Sequence, residues 1–136
     1  MGRIVVNDPL TGKIIRCCYD VHGVLGPGFK ENAYHKALCK ALKESHIAFD
    51  SEKVFSVKFK DEKVGTYKPD LFIENAVILE IKAISGLQPK LFEYQLLSYL
   101  KVANVRVGLL VNFGNKSCEV RRLVLPEWKL SPIKAP

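Results

Sequence analysis

The segment YKPDLFIENAVILEIKAI, residues 67–84, constrains the fold of this chain more than any other stretch. It is mostly apolar and rich in residues that favour β-strands, and a turn signal at residues 74–75 divides it in two. Two strands joined by so short a turn are expected to be antiparallel neighbours. The segment also carries Asp70, Glu80 and Lys82 among residues expected to enter a core. A lone buried charge is costly unless it is paired or holds a metal.

This hairpin is predicted to bring two carboxylates together. A turn centred near residue 75 sets the register so that Asp70 faces Glu80, with about 5 Å between their Cβ atoms. Carboxylates at that distance repel each other unless a divalent cation lies between them, and oxygen ligands of this kind suit Mg²⁺ or Mn²⁺. Residues two apart in a strand share a face, so Lys82 lies on the side of Glu80. The alternative is an Asp70–Lys82 ion pair with Glu80 near solvent, and the residue types alone do not decide between the two.

The rest of the chain predicts a mixture of helices and strands. Apolar residues recur at helical spacing over about 14–25, and a second helix follows the Gly-Pro-Gly break, over about 29–45. Further elements are expected in this order: strands at 48–59, 63–73 and 76–84, a helix from Pro89 to Ala103, and strands at 106–113 and 118–125. This order, α-α-β-β-β-α-β-β, fits an α/β (α+β) domain with one central mixed β-sheet flanked by helices.

Length and composition are those of one domain. The chain has 136 residues, of which 48% are hydrophobic. We expect a single domain over 1–136, with its core at about 14–125, a strand or loose arm at 3–6 and an irregular tail at 126–136. No run of about 18 apolar residues occurs, so no membrane span is expected, and no signal peptide is apparent. The four cysteines lack metal-binding spacing, which suits reduced thiols in a cytoplasmic protein.

The charge of the chain suits a polyanionic partner. Its formal net charge is +7, and neutralising phosphates with Lys and Arg releases counterions. Solubility alone is the other explanation, because basic soluble proteins are common. Charge therefore favours nucleic acid as a partner only modestly.

Polar residues on two predicted helices are further candidates for the site. Gln95 and Tyr99 are four apart and share a helix face, where they either bond to phosphate or to the carboxylates or form a polar pair at the rim. Glu31 precedes Tyr34 by three residues and Leu38 by seven, which places it at the N-terminal end of the buried stripe. The alternative is a first-turn glutamate that favours the helix dipole.

Three other polar residues have two interpretations each, and a fourth, His35, has one. His22 lies before the Gly-Pro-Gly break and either approaches the site or is an ordinary histidine, whereas His35 is expected to point away. Tyr67 and Lys68 either contact phosphate or lie at a solvated strand edge.

Several motifs together resemble a known family. The PD dipeptide at 69–70, followed by EIK at 80–82, resembles the motif of the PD-(D/E)XK nuclease superfamily. GFKENAY at 28–34 matches the signature of the GxxExxY protein family, and the segments YKPDLFIENAVILEIKAI, QLLSYL and VGLLVNFG resemble its later blocks in order and spacing. On these motifs the chain is identified as a member of that family over about 14–125.

The resemblance implies a restriction-endonuclease-like core and roles for four residues of the hairpin. Asp70 and Glu80 would be ligands of Mg²⁺ or Mn²⁺, together with the backbone carbonyl of Ile81. Lys82 would orient or activate the attacking water.

The resemblance also implies roles for three helical residues. Glu31 matches an acidic residue that some branches bring to the metal from the first helix, and Gln95 and Tyr99 match a Q-x-x-x-Y feature of exonuclease-like branches. The implied function is metal-dependent hydrolysis of phosphodiester bonds in DNA, with RNA second, and a homodimer that cuts two strands is compatible with the chain's size. The alternatives are a non-catalytic nucleic-acid-binding or adaptor domain that retains the fold, and a protein-interaction module whose ionic cluster is structural.

Overall fold

Helices and strands alternate along residues 8–131, the part of the chain that the computed structural model describes. In chain order they are α1 (Pro9–Leu25), α2 (Glu31–Glu44), β1 (Phe49–Asp50), β2 (Phe55–Phe59), β3 (Glu62–Tyr67), β4 (Leu71–Ile73), β5 (Val77–Lys82), α3 (Lys90–Ala103), β6 (Val107–Asn112) and β7 (Glu119–Val124), followed by a 3-10 turn at Glu127–Lys129. The strand or arm expected at residues 3–6 lies outside the described residues, and so does the end of the tail at 132–136.

A mixed sheet of five strands forms the centre of the fold, in the order β1-β4-β5-β6-β7. Strands β5 and β6 are parallel and are connected through α3, whereas the other neighbours in the sheet are antiparallel. A parallel pair needs a crossover connection of this kind, since a tight turn joins only antiparallel strands. The predicted fold class, a central mixed sheet flanked by helices, is confirmed.

The two faces of β5 pack against different helices, as its alternating pattern predicts. Val77, Leu79 and Ile81 belong to a core with residues of α1 and α2. Ile78 belongs to a second core, with Leu96 and Leu100 of α3 among its members. Glu80 and Lys82 therefore lie on the face of the sheet that α3 covers.

The number of strands between α2 and α3 differs from the prediction. The segments expected as single strands at 48–59 and 63–73 are each divided in two, as β1 with β2 and as β3 with β4. Strands β2 and β3 form a separate two-stranded sheet, while β1 and β4 pair in the central sheet. The second division falls at Lys68-Pro69, where proline has no N–H to donate to a ladder.

Helix α1 begins five residues earlier than Ile14, the first residue of the predicted helix. The Asp8 side chain accepts a hydrogen bond from the Thr11 backbone N–H at 3.3 Å, and Pro9 occupies the first helical turn. Both residues are typical of a helix start, because aspartate satisfies a free N–H and proline needs none. Among residues 8–131, no helix combines the length and the apolar character needed to cross a membrane.

Candidate active site

The ladder between β4 and β5 ends next to the predicted carboxylates. Leu71 pairs with Leu79, and the same register continued by one residue sets Asp70 opposite Glu80, as predicted. Asp70 lies just outside the strand, and its Oδ2 accepts a hydrogen bond from the Ile81 backbone N–H at 2.7 Å. The Asp70 side chain thus accepts the hydrogen bond that the backbone of residue 69 would accept if the ladder continued.

Pro69 explains why the ladder stops here. The N–H and C=O groups of one strand residue point to the same neighbouring strand, so the Ile81 carbonyl points to the side on which its N–H meets Asp70. The continued register sets Pro69 opposite Ile81, and proline has no N–H to donate. The carbonyl of Lys82 points to the other neighbour and accepts from the Phe113 N–H at 2.9 Å. The main-chain oxygen of Ile81 therefore receives no ladder hydrogen bond from position 69.

A buried tyrosine holds the second carboxylate. The Tyr67 hydroxyl donates a hydrogen bond to Oε2 of Glu80. Only 7% of Tyr67 is exposed, and its ring stacks on Tyr99 with 3.8 Å between ring centroids. Burial and the charge of Glu80 raise the pKa of this phenol, which keeps its proton available for the hydrogen bond.

The electrostatics of Glu80 reflect two carboxylates in one place. Burial is the larger cause that raises its pKa, and the negative charge of Asp70 is the second; together they bring the pKa to about 7. The hydrogen bonds from the Tyr67 hydroxyl and the Asp70 backbone N–H, and then the positive charge of Lys82, act in the opposite direction. Glu80 is therefore partly protonated near neutral pH in the metal-free protein, although a cation beside it would favour the charged form.

Lys82 does not form the ion pair that was the alternative prediction. Its Nζ lies 4.3 Å from the centroid of the Phe92 ring, in a cation–π contact. Within residues 8–131, no Asp or Glu oxygen lies within 4.0 Å of the Lys82 ammonium. The ammonium is held on the face of Glu80 without being neutralised by it.

Helix α3 borders the site with one side. Phe92, Gln95 and Tyr99 follow one another at helical spacing, and all three are partly buried. Phe92 contacts Lys82, and Tyr99 reaches Glu80 indirectly through the ring of Tyr67. Gln95 lies on the helix between these two contacts.

A pocket of about 260 Å³ opens on the other side of Asp70. Its lining is mostly polar and comes from α2, the ends of β1 and β4 and the strand β5: Glu31, Asn32, His35, Ser51, Glu52, Lys68, Pro69, Asp70 and Ile81. Within it, Lys68 forms an ion pair with Glu52 at 2.8 Å. The pocket brings Glu31 to the same space as Asp70 and the main chain of Ile81.

Two helical predictions near this pocket need correction. Glu31 was expected at the N-terminal end of the buried stripe, but it is exposed; as the first residue of α2 it has the first-turn position of the alternative interpretation. His35 was expected to point away, yet its Nε2 lies 3.0 Å from the main-chain oxygen of Asp70 and donates a hydrogen bond to it. The helix therefore turns Glu31 and His35 toward the pocket and keeps Tyr34 and Leu38 in the core.

His22 is a core histidine and does not approach the site. Its Nε2 donates to the main-chain oxygen of Asn115 at 2.8 Å, and its ring stacks on Phe113. His22 therefore links α1 to the turn between β6 and β7 by a hydrogen bond.

Sequence reasoning missed three residues that position the site. Tyr67 had only an open interpretation, and Phe92 had none. Asn112, fully buried, binds the segment after β5: its Oδ1 accepts from the Ile84 N–H at 2.9 Å, and its Nδ2 donates to the Ile84 carbonyl at 3.0 Å. A polar residue at the end of the apolar run VGLLVNF was the available signal, because a buried amide needs partners.

The oxygen atoms at this site suit a hard divalent cation. In the described part of the chain, no three His, Cys, Asp or Glu side chains are grouped so that they could hold a metal ion. A cation here would use the carboxylates of Asp70 and Glu80 and the free carbonyl of Ile81, and water would complete its coordination. The donor set fits Mg²⁺ or Mn²⁺, which commonly keep water ligands and need few protein oxygens.

Comparisons with known proteins agree with this fold. The family model of the PD-(D/E)XK nuclease superfamily matches residues 8–123. A solved structure titled "Crystal structure of SSO0001" matches 70% of this chain with a TM-score of 0.55 and 21% sequence identity, and this chain spans 50% of that protein's length. That likeness concerns the fold alone. A comparison with curated proteins gave no significant match. The match to the family model covers the sheet, all three helices and the PD and EIK segments, and the chain therefore belongs to the PD-(D/E)XK nuclease superfamily.

Proposed function

We propose that this protein is a metal-dependent nuclease that hydrolyses phosphodiester bonds of DNA. The observation that supports the proposal is the hairpin register that sets Asp70 opposite Glu80, with Asp70 bonded to the Ile81 backbone and Lys82 on the face of Glu80. Nucleases of this superfamily generally use divalent metals. Within the superfamily, the motif at 28–34 supports membership of the GxxExxY family.

Asp70, Glu80 and Ile81 would hold Mg²⁺ or Mn²⁺, and Glu31 would add a carboxylate from the rim of the pocket. When bound, such a cation polarises the scissile phosphate and lowers the pKa of a water molecule. Ile81 N–H engages Oδ2 of Asp70, which leaves Oδ1 for a cation. Glu80 accepts from the Tyr67 hydroxyl and from the Asp70 backbone N–H, and both hydrogen bonds favour the charged carboxylate that a cation needs.

The remaining residues act on the substrate or on the carboxylates. The Lys82 ammonium would hold the attacking water or stabilise the negative charge that develops on the phosphate. Phe92 keeps that ammonium near the site by a cation–π contact. Gln95 would donate a hydrogen bond to a phosphate oxygen, and Tyr99 would support Tyr67, and through it Glu80, by ring stacking.

The net charge of +7 supports DNA as the substrate, because a basic surface binds the backbone without reading sequence. We place RNA second. A homodimer would allow both strands of a duplex to be cut. A cytoplasmic location suits the four cysteines, all of which are free thiols.

A divalent-dependent cleavage assay on linear, circular, branched and single-stranded DNA tests the proposal. We expect cleavage with Mn²⁺ or Mg²⁺, its loss in Lys82→Ala, and DNA binding that Lys82→Ala largely keeps. Asp70→Asn and Glu80→Gln should each weaken metal binding, which calorimetry can measure without DNA. Lys40→Ala, a lysine on the far half of α2, is the matched control and should cut like the parent.

Three results would contradict this function. Equal cleavage by the parent and Lys82→Ala would point to a contaminating nuclease. Salt-sensitive DNA binding that ignores divalent metal, without cleavage of any substrate, would favour a non-catalytic nucleic-acid-binding domain. Absence of metal binding, DNA binding and cleavage together would leave only a structural role for the ionic cluster.

A further inference from the structure

The hairpin of β2 and β3 extends from the core as a separate two-stranded sheet. Its base packs against the fold: Phe55, Val57 and Tyr67 belong to, or border, the core beneath α3. Its outer half, residues 58–64, is exposed at every position. The turn at its tip uses Lys60 and Asp61, both with positive φ, as a tight two-residue hairpin turn requires.

One face of this hairpin carries only hydrogen-bond donors and hydroxyl groups. Ser56 pairs with Thr66, and Lys58 pairs with Lys63, across the two strands. Cross-strand partners share a face, and Ser56 and Lys58 are two apart on β2. On β3, Lys63 and Thr66 are three apart with a bulge between them, so the pairing keeps all four side chains on one face. All four are exposed. We name this surface the donor face; it consists of Ser56, Lys58, Lys63 and Thr66.

The two lysines are an unfavourable pair in the free protein. Like charges directly opposite each other destabilise an antiparallel pair, since nothing between them neutralises the repulsion. In the described part of the chain, neither the Lys58 nor the Lys63 ammonium has a carboxylate within 4.0 Å. Glu62 cannot serve, because it pairs with Phe59 and so lies on the opposite face. An anion that contacts both ammonium groups would remove this repulsion.

The hairpin is also fixed in position relative to the site. Strand β3 ends at Tyr67, whose hydroxyl binds Glu80. Lys63 lies four residues before Tyr67, at most about 13 Å along the strand, and a bulge lies between them. Thr66 and Tyr67 are adjacent, so the donor face is the outer face of the hairpin and Tyr67 lies on the inner one.

We propose that the donor face binds the phosphate backbone of double-stranded DNA next to the candidate active site. This inference rests on the proposed function for its substrate class. Lysine and hydroxyl side chains are common phosphate contacts and carry no sequence information. The donor face would therefore add affinity for duplex DNA of any sequence.

Binding without cleavage tests the proposal. The parent and the Lys58→Gln/Lys63→Gln variant are titrated onto a fluorescent duplex of about 24 base pairs in EDTA over a range of salt concentrations. We expect the variant to bind roughly tenfold more weakly at about 0.1 M salt, and its slope of log K against log salt to fall by about 1.8, or 0.9 for each lost contact. The Lys58→Arg/Lys63→Arg variant should bind like the parent.

A control variant with the same net charge distinguishes phosphate contacts by the hairpin lysines from a general effect of net charge on DNA binding. Lys13→Gln/Lys40→Gln removes two exposed lysines from α1 and α2, which pack on the opposite face of the central sheet. We expect it to bind within about twofold of the parent, because charges beyond a Debye length are largely screened. Thermal melts of every variant verify that each one is folded.

Three outcomes would overturn the proposal. Equal losses in the two glutamine variants would mean that only net charge matters. Parent-like binding by Lys58→Gln/Lys63→Gln, with increased aggregation, would mean that the lysines merely protect the hairpin edges. A change of oligomeric state in that variant, measured by sedimentation, would make the hairpin an interface between two copies. None of these readouts requires cleavage, so the donor face and the nuclease activity can fail independently.

Discussion

The Tyr67 hydroxyl donates a hydrogen bond to the Glu80 carboxylate, and the same tyrosine ring lies on the ring of Tyr99. The donor lowers the pKa of Glu80, which burial and Asp70 raise. Tyr67→Phe removes the hydroxyl and keeps the ring, so the pKa of Glu80 should rise further. We expect the acid limb of the kcat/KM profile to move to higher pH, with a rate at pH 7 about tenfold below that of the parent.

Tyr99→Phe is the matched control, because it removes a phenol hydroxyl from the same stack and leaves the donor to Glu80 in place. Its pH profile should coincide with that of the parent. An unshifted profile in Tyr67→Phe would mean that this hydrogen bond does not tune the carboxylate.

Glu80→Gln should stabilise the metal-free protein at high pH. The pKa of Glu80 rises from its ordinary value of 4.5 to about 7 on folding. The folded state therefore binds the proton more tightly, and the stability due to this group is complete below about pH 4.5 and is lost as pH rises to about 7. At pH 8 in EDTA, we expect the variant to exceed the parent in unfolding free energy by up to about 3 kcal/mol.

Urea unfolding at pH 4 and pH 8 measures this difference, which should vanish at pH 4. Addition of Mn²⁺ at pH 8 should restore the stability of the parent and leave Glu80→Gln nearly unchanged, since a bound cation favours the folded state. If the parent and Glu80→Gln were equally stable at pH 8 without metal, the charged Glu80 carboxylate would not destabilise the folded protein.

His35 should position Asp70 without touching the substrate. Its Nε2 donates to the Asp70 main-chain oxygen at 3.0 Å. His35→Ala leaves that oxygen without its donor, and a hydrogen bond of this kind contributes about 1 kcal/mol. We expect about fivefold weaker Mn²⁺ binding by calorimetry, and a similar loss in kcat/KM.

His35→Gln offers an amide donor of similar reach and should recover most of the metal affinity. If both variants bind Mn²⁺ like the parent, His35 has only a packing role. A loss in both without recovery would point to a direct role of the imidazole.

Gly114→Ala should destabilise the fold strongly. A Cβ atom at this position would lie 2.2 Å from the main-chain oxygen of Ile84, in the segment that follows Lys82. Backbone cannot move aside as a flexible side chain can, so we expect a loss of roughly 3 kcal/mol or more in unfolding free energy. Gly23→Ala is the matched control: it lies in α1 with open space around its Cβ, and alanine should stabilise that helix by roughly 0.5–1 kcal/mol. Urea titrations of both variants measure the contrast, and similar stabilities would contradict it.

The hairpin that carries the carboxylates could be predicted from the sequence because its determinants are local. The turn at Glu74 and Asn75, both with positive φ, fixes the register that sets Asp70 opposite Glu80. The alternation of Val77 and Ile78 determines which face of β5 meets which helix layer. These features depend on residues a few positions apart.

Contacts between distant residues could not be predicted in the same way. Tyr67 and Glu80 are 13 residues apart, and His35 and Asp70 are 35 apart. Periodicity gives the face of a helix but not the rotation that brings His35 to a particular carbonyl. Strand propensity also does not indicate which sheet a strand joins. The sequence therefore predicts β1 with β2, and β3 with β4, as single strands, although β2 and β3 form a sheet of their own.

The hairpin that bears the donor face interrupts two strands that are already neighbours. β1 and β4 are paired in the central sheet, so the chain leaves the sheet after Asp50 and returns at Leu71 beside its point of departure. Loop-closure entropy changes slowly with length, so the outer half of the excursion, residues 58–64, can lengthen or shorten at little cost while Tyr67 and Asp70 at its base stay in place. Changes confined to that outer half can therefore alter the surface of the hairpin and leave the hydrogen bond from Tyr67 to Glu80 intact.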